Sequence, residues 1–204
     1  QLPLPPGFDA MALLDLIDPA KDVDGFHPVN VGKLVRGEAA FVPCTPLGIF
    51  YLLLREGISL RGATVAVMGR SNVVGRPLAN LLSQKGGGRD ASVILLHSRS
   101  RAPERFTREA DVLVEAMGRA GAVTAEMVRP GAVVIDVGMN RVPNPEKPGK
   151  TRLVGDVVPE AFEVASAMTP VPGGVGPMTV AMLMRNTVDA AAGAVTRPFA
   201  IGEA

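Results

Sequence analysis

Four short runs of aliphatic and β-branched residues constrain this chain most. They are Thr64-Val65-Ala66-Val67-Met68, Ser92-Val93-Ile94-Leu95-Leu96, Asp111-Val112-Leu113-Val114-Glu115 and Ala132-Val133-Val134-Ile135-Asp136. Each is apolar at successive positions, not at alternate ones. A strand of that kind is covered on both faces, as in a parallel sheet sandwiched by helices. Stretches of helical character between the runs, such as Leu78-Ala79-Asn80-Leu81-Leu82, complete repeated βαβ units with right-handed crossovers. The expected fold class is α/β: a Rossmann-type, mostly parallel sheet with helices on both faces. Leu153-Val154-Gly155-Asp156-Val157 is expected to add a last short strand after a polar loop at Pro143 to Lys150.

The flanks read differently. Residues 9–18 have helical spacing, with Met11, Leu14 and Ile17 on one face, and Asp22 to Pro28 is a polar turn. Pro46 to Leu54 resembles the start of a helix capped by Thr45. Near the other end, Pro170 to Pro177 reads as an irregular loop and Met178 to Ala192 as a helix. Neither flank builds a core alone. They are expected to be pieces of a second domain.

The first run ends in Gly69-Arg70-Ser71-Asn72-Val73-Val74-Gly75 and leads into a helix. A strand, a glycine turn and a helix start present backbone N–H groups and the positive end of a helix dipole to an anion. The spacing departs from G-x-G-x-x-G: Ser71 stands at the middle glycine and adds a hydroxyl. Gly75 permits close helix–strand packing, and Pro77 is tolerated in a first helical turn. The alternative is an ordinary βα turn, because a loose glycine pattern is weakly specific. The second run ends in His97-Ser98-Arg99-Ser100-Arg101, with no carboxylate for a ribose diol. With Arg70 these donors and cations suit a 2′-phosphate, which favours NADP over NAD; a solvated basic loop is the bland reading.

The chemistry-bearing residues are few. Cys44 is either a small core cysteine or, near a helix start, a thiol of lowered pKa. His27 lies beside a proline with no partner in sequence, Tyr51 sits on an apolar helical stretch, and Asp22 and Asp24 read as turn chemistry. Glu115 ends an apolar strand and faces either a sheet edge or a cleft. The glycines around Pro172 to Pro177 let a backbone approach a flat ligand closely. No general base emerges. The 204 residues carry a net charge of +1, which excludes a bulk electrostatic case for nucleic acid or membrane. One cysteine and two distant histidines exclude a disulfide framework and a multi-cysteine metal site. A reducing, cytoplasmic setting is expected, with no metal.

Several stretches in their order resemble the methylenetetrahydrofolate dehydrogenase/cyclohydrolase family. They are Gln1-Leu2-Pro3-Leu4-Pro5, Lys21-Asp22-Val23-Asp24-Gly25, Pro43-Cys44-Thr45-Pro46, Gly69-Arg70-Ser71 through Gly75-Arg76-Pro77, Asp136-Val137-Gly138-Met139-Asn140-Arg141, Val154-Gly155-Asp156-Val157 and Thr169 to Thr179. The resemblance implies oxidation of 5,10-methylenetetrahydrofolate by NADP, then hydrolysis to 10-formyltetrahydrofolate, in one-carbon metabolism and purine biosynthesis. It implies that residues 1–42 end a catalytic, folate-binding α/β domain, that 43–168 bind NADP, and that 169–204 return to the catalytic domain. It places Gln1 and Asp24 at the catalytic site: Asp24 holds the pterin through paired hydrogen bonds, and Gln1 helps position a catalytic lysine. Gly69, Arg70, Ser71, Ser98 and Met139 line the dinucleotide site. Pro172, Gly173, Gly174, Val175, Gly176, Pro177, Met178 and Thr179 flank folate and nicotinamide. It also implies a homodimer. The family's Tyr-x-x-x-Lys motif precedes the part that matches Gln1 and has no counterpart among these residues. The chain is thus expected to be a nearly inactive fragment of an enzyme. The rival readings are a non-catalytic NADP-binding module and a different Rossmann dehydrogenase acting on a small acid; the loop at 172–177 speaks against the last.

Overall fold

The computed structural model describes Leu2, residues 4–38 and residues 41–193. Its main strands are β1 (Thr64–Met68), β2 (Ser92–Leu96), β3 (Val112–Glu115), β4 (Val133–Asp136) and β7 (Ala167–Met168). These five run parallel in one sheet, in the order β2-β1-β3-β4-β7. The four apolar runs are thus the strands, two of them starting one residue later than the pattern suggests. The fifth strand has only small and flexible residues, Ala167 and Met168, and no periodicity to reveal it.

The sheet divides the core in two. On one face lie α3 (Cys44–Arg55), α4 (Gly75–Leu82) and α6 (Val175–Ala191), packed around buried Leu47, Phe50, Leu53, Val65, Val67, Leu78 and Val114. On the other lie Ala66, Met68, Leu113 and Val134, covered by Val123, Val128, Val157 and Ala161. That cover is thin. The four-residue α5 (Glu104–Thr107) and two 3-10 turns at Ala125–Met127 and Pro159–Glu163 replace full crossover helices. A chain of this length that sends three helices to one face has only short connections left for the other.

Local details depart from the sequence pattern. Leu153–Val157 does not extend the main sheet: β6 (Thr151–Val154) pairs antiparallel with β5 (Asn140–Pro143), and the polar loop is their hairpin connection. Residues 9–18 form only the short α1 (Ala10–Leu14), where the Asp9 carboxylate accepts from the Met11 and Ala12 N–H groups. Met11 and Ile17 stay exposed. The polar turn runs into a helix that the pattern does not suggest, α2 (Pro28–Val35). Its signal is present: Pro28 stands in the first turn and the Val29 N–H donates to His27 Nδ1. His27 is a cap, not a base in waiting.

The most extensive helix pairing joins α3 to α6, two elements far apart in the chain. Helices α3 and α6 cross closely because Gly48 has no side chain; a Cβ there would lie 3.0 Å from Met178 Cβ. Asn186 on α6 is buried, and its amide donates to the carbonyls of Val23 (2.8 Å) and Val42 (3.2 Å). The α3–α6 pair thereby holds the 22–25 turn against the body of the fold.

Candidate functional site

Parallel strands send all their C-terminal ends to one edge of a sheet. Neighbouring connections diverge where the chain order reverses, and a crevice opens there. Here that point lies between β1 and β3. The loops leaving β1, β2, β3, β4 and β7 all start from this edge, so the segments that carry Gly69 to Ser71, Ser98 and Met139 leave the sheet on the same side.

Gly69 has φ of +121°, and its N–H donates to Leu96 O at the end of β2 (2.9 Å). A Cβ on Gly69 would overlap the Ala116 carbonyl beyond β3. One on Gly75 would overlap the Gly69 carbonyl. Both glycines are therefore demanded by close backbone approach, and the turn is tight enough to aim N–H groups at an anion. The turn is internally braced, since Ser71 Oγ accepts from the Val74 N–H (3.1 Å) and Arg76 donates to Asn72 Oδ1 (3.1 Å). No side chain caps the N-terminus of α4. Arg70, Ser71, Ser98, Arg99 and Arg101 are exposed. The β2 end is shaped by its own turn, in which Ser100 Oγ accepts from the His97 N–H (2.9 Å) and His97 Nδ1 from the Arg99 N–H (3.1 Å).

The Gly-Pro segment at the end of β7 needs one correction. It is a loop only to Gly174; Val175, Gly176, Pro177, Met178 and Thr179 already belong to the start of α6, three residues earlier than the pattern suggests. Proline fits there because the first-turn N–H groups have no helical partner to lose. A Cβ on Gly174 would lie 2.5 Å from Pro170 O, which fixes a glycine at the helix entry. The Val171–Pro172 peptide is cis. Met139 is 62% exposed and reaches across to this turn, its Cε lying 3.9 Å from where a Cβ of Gly176 would be.

Thr45 is not the N-cap of α3; Pro43 holds that place. Its hydroxyl instead meets the Thr179 hydroxyl of α6 at 3.0 Å. Cys44, one residue earlier, has its Sγ 4.0 Å from Asp24 Oδ1. Asp24, Cys44, Thr45 and Thr179 thus connect the 22–25 turn to the entry of α6. Asp24 is half-buried at a groove of about 180 Å³ and is the one charged group among its described lining residues, which include Leu4, Leu14, Ile17 and Phe26. Burial, and then the neighbouring Asp22, raise its pKa. Asp22 itself is buried and accepts from the Phe26 and His27 N–H groups and from Asn30. Burial pushes the Cys44 thiol up to about 11, with the Asp24 charge adding to it, so the low-pKa thiol reading fails. Gln1 lies outside the described residues.

One arrangement escapes sequence reasoning. Asp136 and Asp156, each in a glycine-containing motif, lock the loops after β4 and β6 together. Asp136 accepts from the N–H groups of Gly138 (2.9 Å), Asp156 (3.0 Å) and Val157 (3.0 Å), while Asp156 accepts from Gly118 N–H and from Asn140 (2.7 Å each). A Cβ on Gly138 would overlap the Asp156 carboxylate, and one on Gly155 the Asp136 carboxylate. The pairing of Asp with Gly in both motifs was the visible signal. Its effect is to hold Met139 at the crevice. Among the described residues no group of His, Cys, Asp and Glu could hold a metal, and no helix is long and apolar enough to cross a membrane.

A family model described as tetrahydrofolate dehydrogenase/cyclohydrolase, NAD(P)-binding domain, matches residues 43–195. The bifunctional protein FolD of Syntrophus aciditrophicus is 57% identical over 192 residues, which are 94% of this chain and 65% of that protein. FolD of Thermus thermophilus is 56% identical over 191 residues, or 94% and 64%. Among solved structures, the FolD methylenetetrahydrofolate dehydrogenase/cyclohydrolase of Campylobacter jejuni superposes with a TM-score of 0.87 at 43% identity, covering 95% of this chain and 66% of that one. The Trypanosoma brucei enzyme, complexed with NADP cofactor and inhibitor, gives 0.87 at 42% identity, covering 97% and 67%. The chain spans about two-thirds or slightly less of the length of these relatives, 65% and 64% for the two curated proteins.

Proposed function

Since this chain belongs to the tetrahydrofolate dehydrogenase/cyclohydrolase family, we propose that it forms the NADP-binding part, and one wall of the folate cleft, of a bifunctional enzyme. That enzyme oxidises 5,10-methylenetetrahydrofolate and hydrolyses the methenyl product to 10-formyltetrahydrofolate. The observation that carries the reading is the convergence on one sheet edge of a phosphate-sized glycine turn, a basic strand end without carboxylates, and a Gly-Pro helix entry tied to Asp24.

The residues fit the cofactor. The backbone approaches that exclude a Cβ at Gly69 and Gly75 keep the turn between β1 and α4 tight, as a phosphate-binding turn requires. Arg70, with Ser98 beside Arg99, gives an exposed site for a 2′-phosphate. NADP, when bound, supplies the hydride acceptor. The protein's part is placement. Met139 and the Pro172–Thr179 segment form the apolar side of the crevice and exclude water. Asp24 offers two acceptor oxygens to adjacent N–H donors of a pterin ring. Proton transfer falls to a lysine upstream of residue 1 in the complete enzyme, with Gln1 positioning it. Residues 1–42 close the catalytic domain, 43–168 carry the dinucleotide, and 169–204 return to the catalytic domain. Two copies pair as a homodimer in the cytoplasm.

The complete protein is expected to form methenyltetrahydrofolate from methylenetetrahydrofolate with NADP, followed by its absorbance. Isothermal titration of the present chain with NADPH tests the dinucleotide half alone. NADPH binding with no turnover by the complete protein favours the non-catalytic module.

A further inference from the structure

Glu115 is the last residue of β3, beside the crevice, and has no part in the chemistry described so far. It is fully buried, at 0% exposure, on the thinly covered face of the sheet. The register sets it between Met68 at the end of β1 and Asp136 at the end of β4. Its Oε1 accepts from the Met117 N–H (3.2 Å), and its Oε2 has no hydrogen-bond partner. The titratable groups that face it are Asp156, from the segment after β6, and Asp136 on β4. β1 presents Met68, and its own strand end contributes only backbone. No ion pair among the described residues neutralises any of the three carboxyls. Both aspartates are already occupied as acceptors of backbone and Asn140 donors.

The next residue is the seat of the dinucleotide turn. The Ala116 N–H donates to Met68 O (2.8 Å), and the Ala116 carbonyl closes on Gly69 so tightly that no Cβ fits between them. Movement at the end of β3 therefore moves the floor under Gly69.

We propose that Glu115 is a positioning residue for dinucleotide binding: its Met117 anchor holds the end of β3 under the Gly69 turn, and ionisation displaces that end by repulsion from Asp136 and Asp156, not by loss of the anchor. With Oε2 unpartnered, the neutral acid is the less costly form at this place. A third negative charge beside Asp136 and Asp156 has no counter-ion among the described residues, and it is relieved by displacing the strand end. Burial, followed by the charge of Asp156, pushes Glu115 up to about 9, so the neutral form prevails at physiological pH. Alkaline conditions then loosen the cradle without touching any residue that meets the ligand. The inference rests on the dinucleotide-binding reading.

The test is calorimetric titration of the present chain with NADPH from pH 7 to pH 10, for the wild type, Glu115→Gln and Glu115→Ala. Apparent affinity follows the fraction of binding-competent protein. The wild type is expected to lose about tenfold between pH 8 and pH 10, while Glu115→Gln, which stays neutral and keeps an acceptor for Met117, holds within about twofold. Glu115→Ala is expected to bind more weakly at every pH, with no alkaline decline. A wild type that binds equally well across the range, or a Gln variant that declines in step with it, overturns the inference and leaves dinucleotide binding standing. A wild type that fails to bind NADPH at any pH overturns the dinucleotide reading and this inference with it.

Discussion

Replacing Glu115 by Gln is also expected to change how stability responds to pH, and the sign follows from linkage. In the unfolded chain the carboxyl titrates near the ordinary glutamate value of 4.5, whereas in the fold it is held at about 9. Between those values the folded state keeps a proton that the unfolded state has released. Stability linked to Glu115 is therefore fully present below about pH 4.5, and falls as pH rises until the folded group has itself ionised. The slope inside the window is about 1.4 kcal/mol per pH unit. From pH 5 to pH 8 the wild type should lose about 4 kcal/mol that the Gln variant, with nothing to ionise, retains. That is a large part of the ~5–15 kcal/mol that holds a domain folded. Gln also keeps an acceptor for the Met117 N–H. Urea unfolding of both proteins at several pH values measures the difference directly. Asp24, raised by causes that do not involve Glu115, is common to both and cancels. A stability difference that stays constant between pH 5 and pH 8 would show that Glu115 is ionised in the fold, and would refute the reasoning.

Three further outcomes are expected. Arg70→Ala should weaken NADPH roughly ten- to a hundredfold, the value of a charge-assisted hydrogen bond of about 1.5–3 kcal/mol, and NADH by less than about twofold; equal losses in parallel calorimetric titrations would remove Arg70 from the 2′-phosphate site. Gly75→Ala places a methyl on the Gly69 carbonyl, two backbone groups that cannot both stay, so the turn must open at a cost of about 1–3 kcal/mol. NADPH affinity should fall while the far-ultraviolet circular dichroism holds, and undiminished affinity would contradict the cradle. Asp24→Ala in the complete enzyme should lower folate turnover by roughly a hundredfold, the worth of paired hydrogen bonds at about 1–1.5 kcal/mol each, and leave NADPH binding intact; normal steady-state turnover would free Asp24 of the pterin role.

Much of this protein is decided by local pattern. Doubly covered strands announce themselves as continuous apolar runs, because both faces of a central strand exclude water; β1 to β4 could therefore be placed from the pattern alone. The turn at Gly69–Gly75 was legible as a strand, glycines and a helix in succession, although the contacts of Gly69 with Leu96 and Ala116 that tighten it come from β2 and β3. The lack of a carboxylate after Leu96 is likewise a property of adjacent residues.

Only tertiary structure decided the rest, because the deciding contacts join residues far apart in the chain. Ala167 and Met168 become the fifth strand through pairing with β4, having no periodicity of their own. Thr45 looks like a helix cap until Thr179, 134 residues away, takes its hydroxyl. Val175 to Pro177 look like loop because proline and glycine disfavour helix interiors, yet they open α6, where those penalties do not apply. The sharpest case is Glu115. Its sequence position allowed an edge or a cleft, and the order β1-β3-β4 buried it between two strand ends, facing Asp136 and Asp156 with one oxygen unpartnered. Strand order is a long-range property, and the charge state of a residue in the middle of the sheet follows from it.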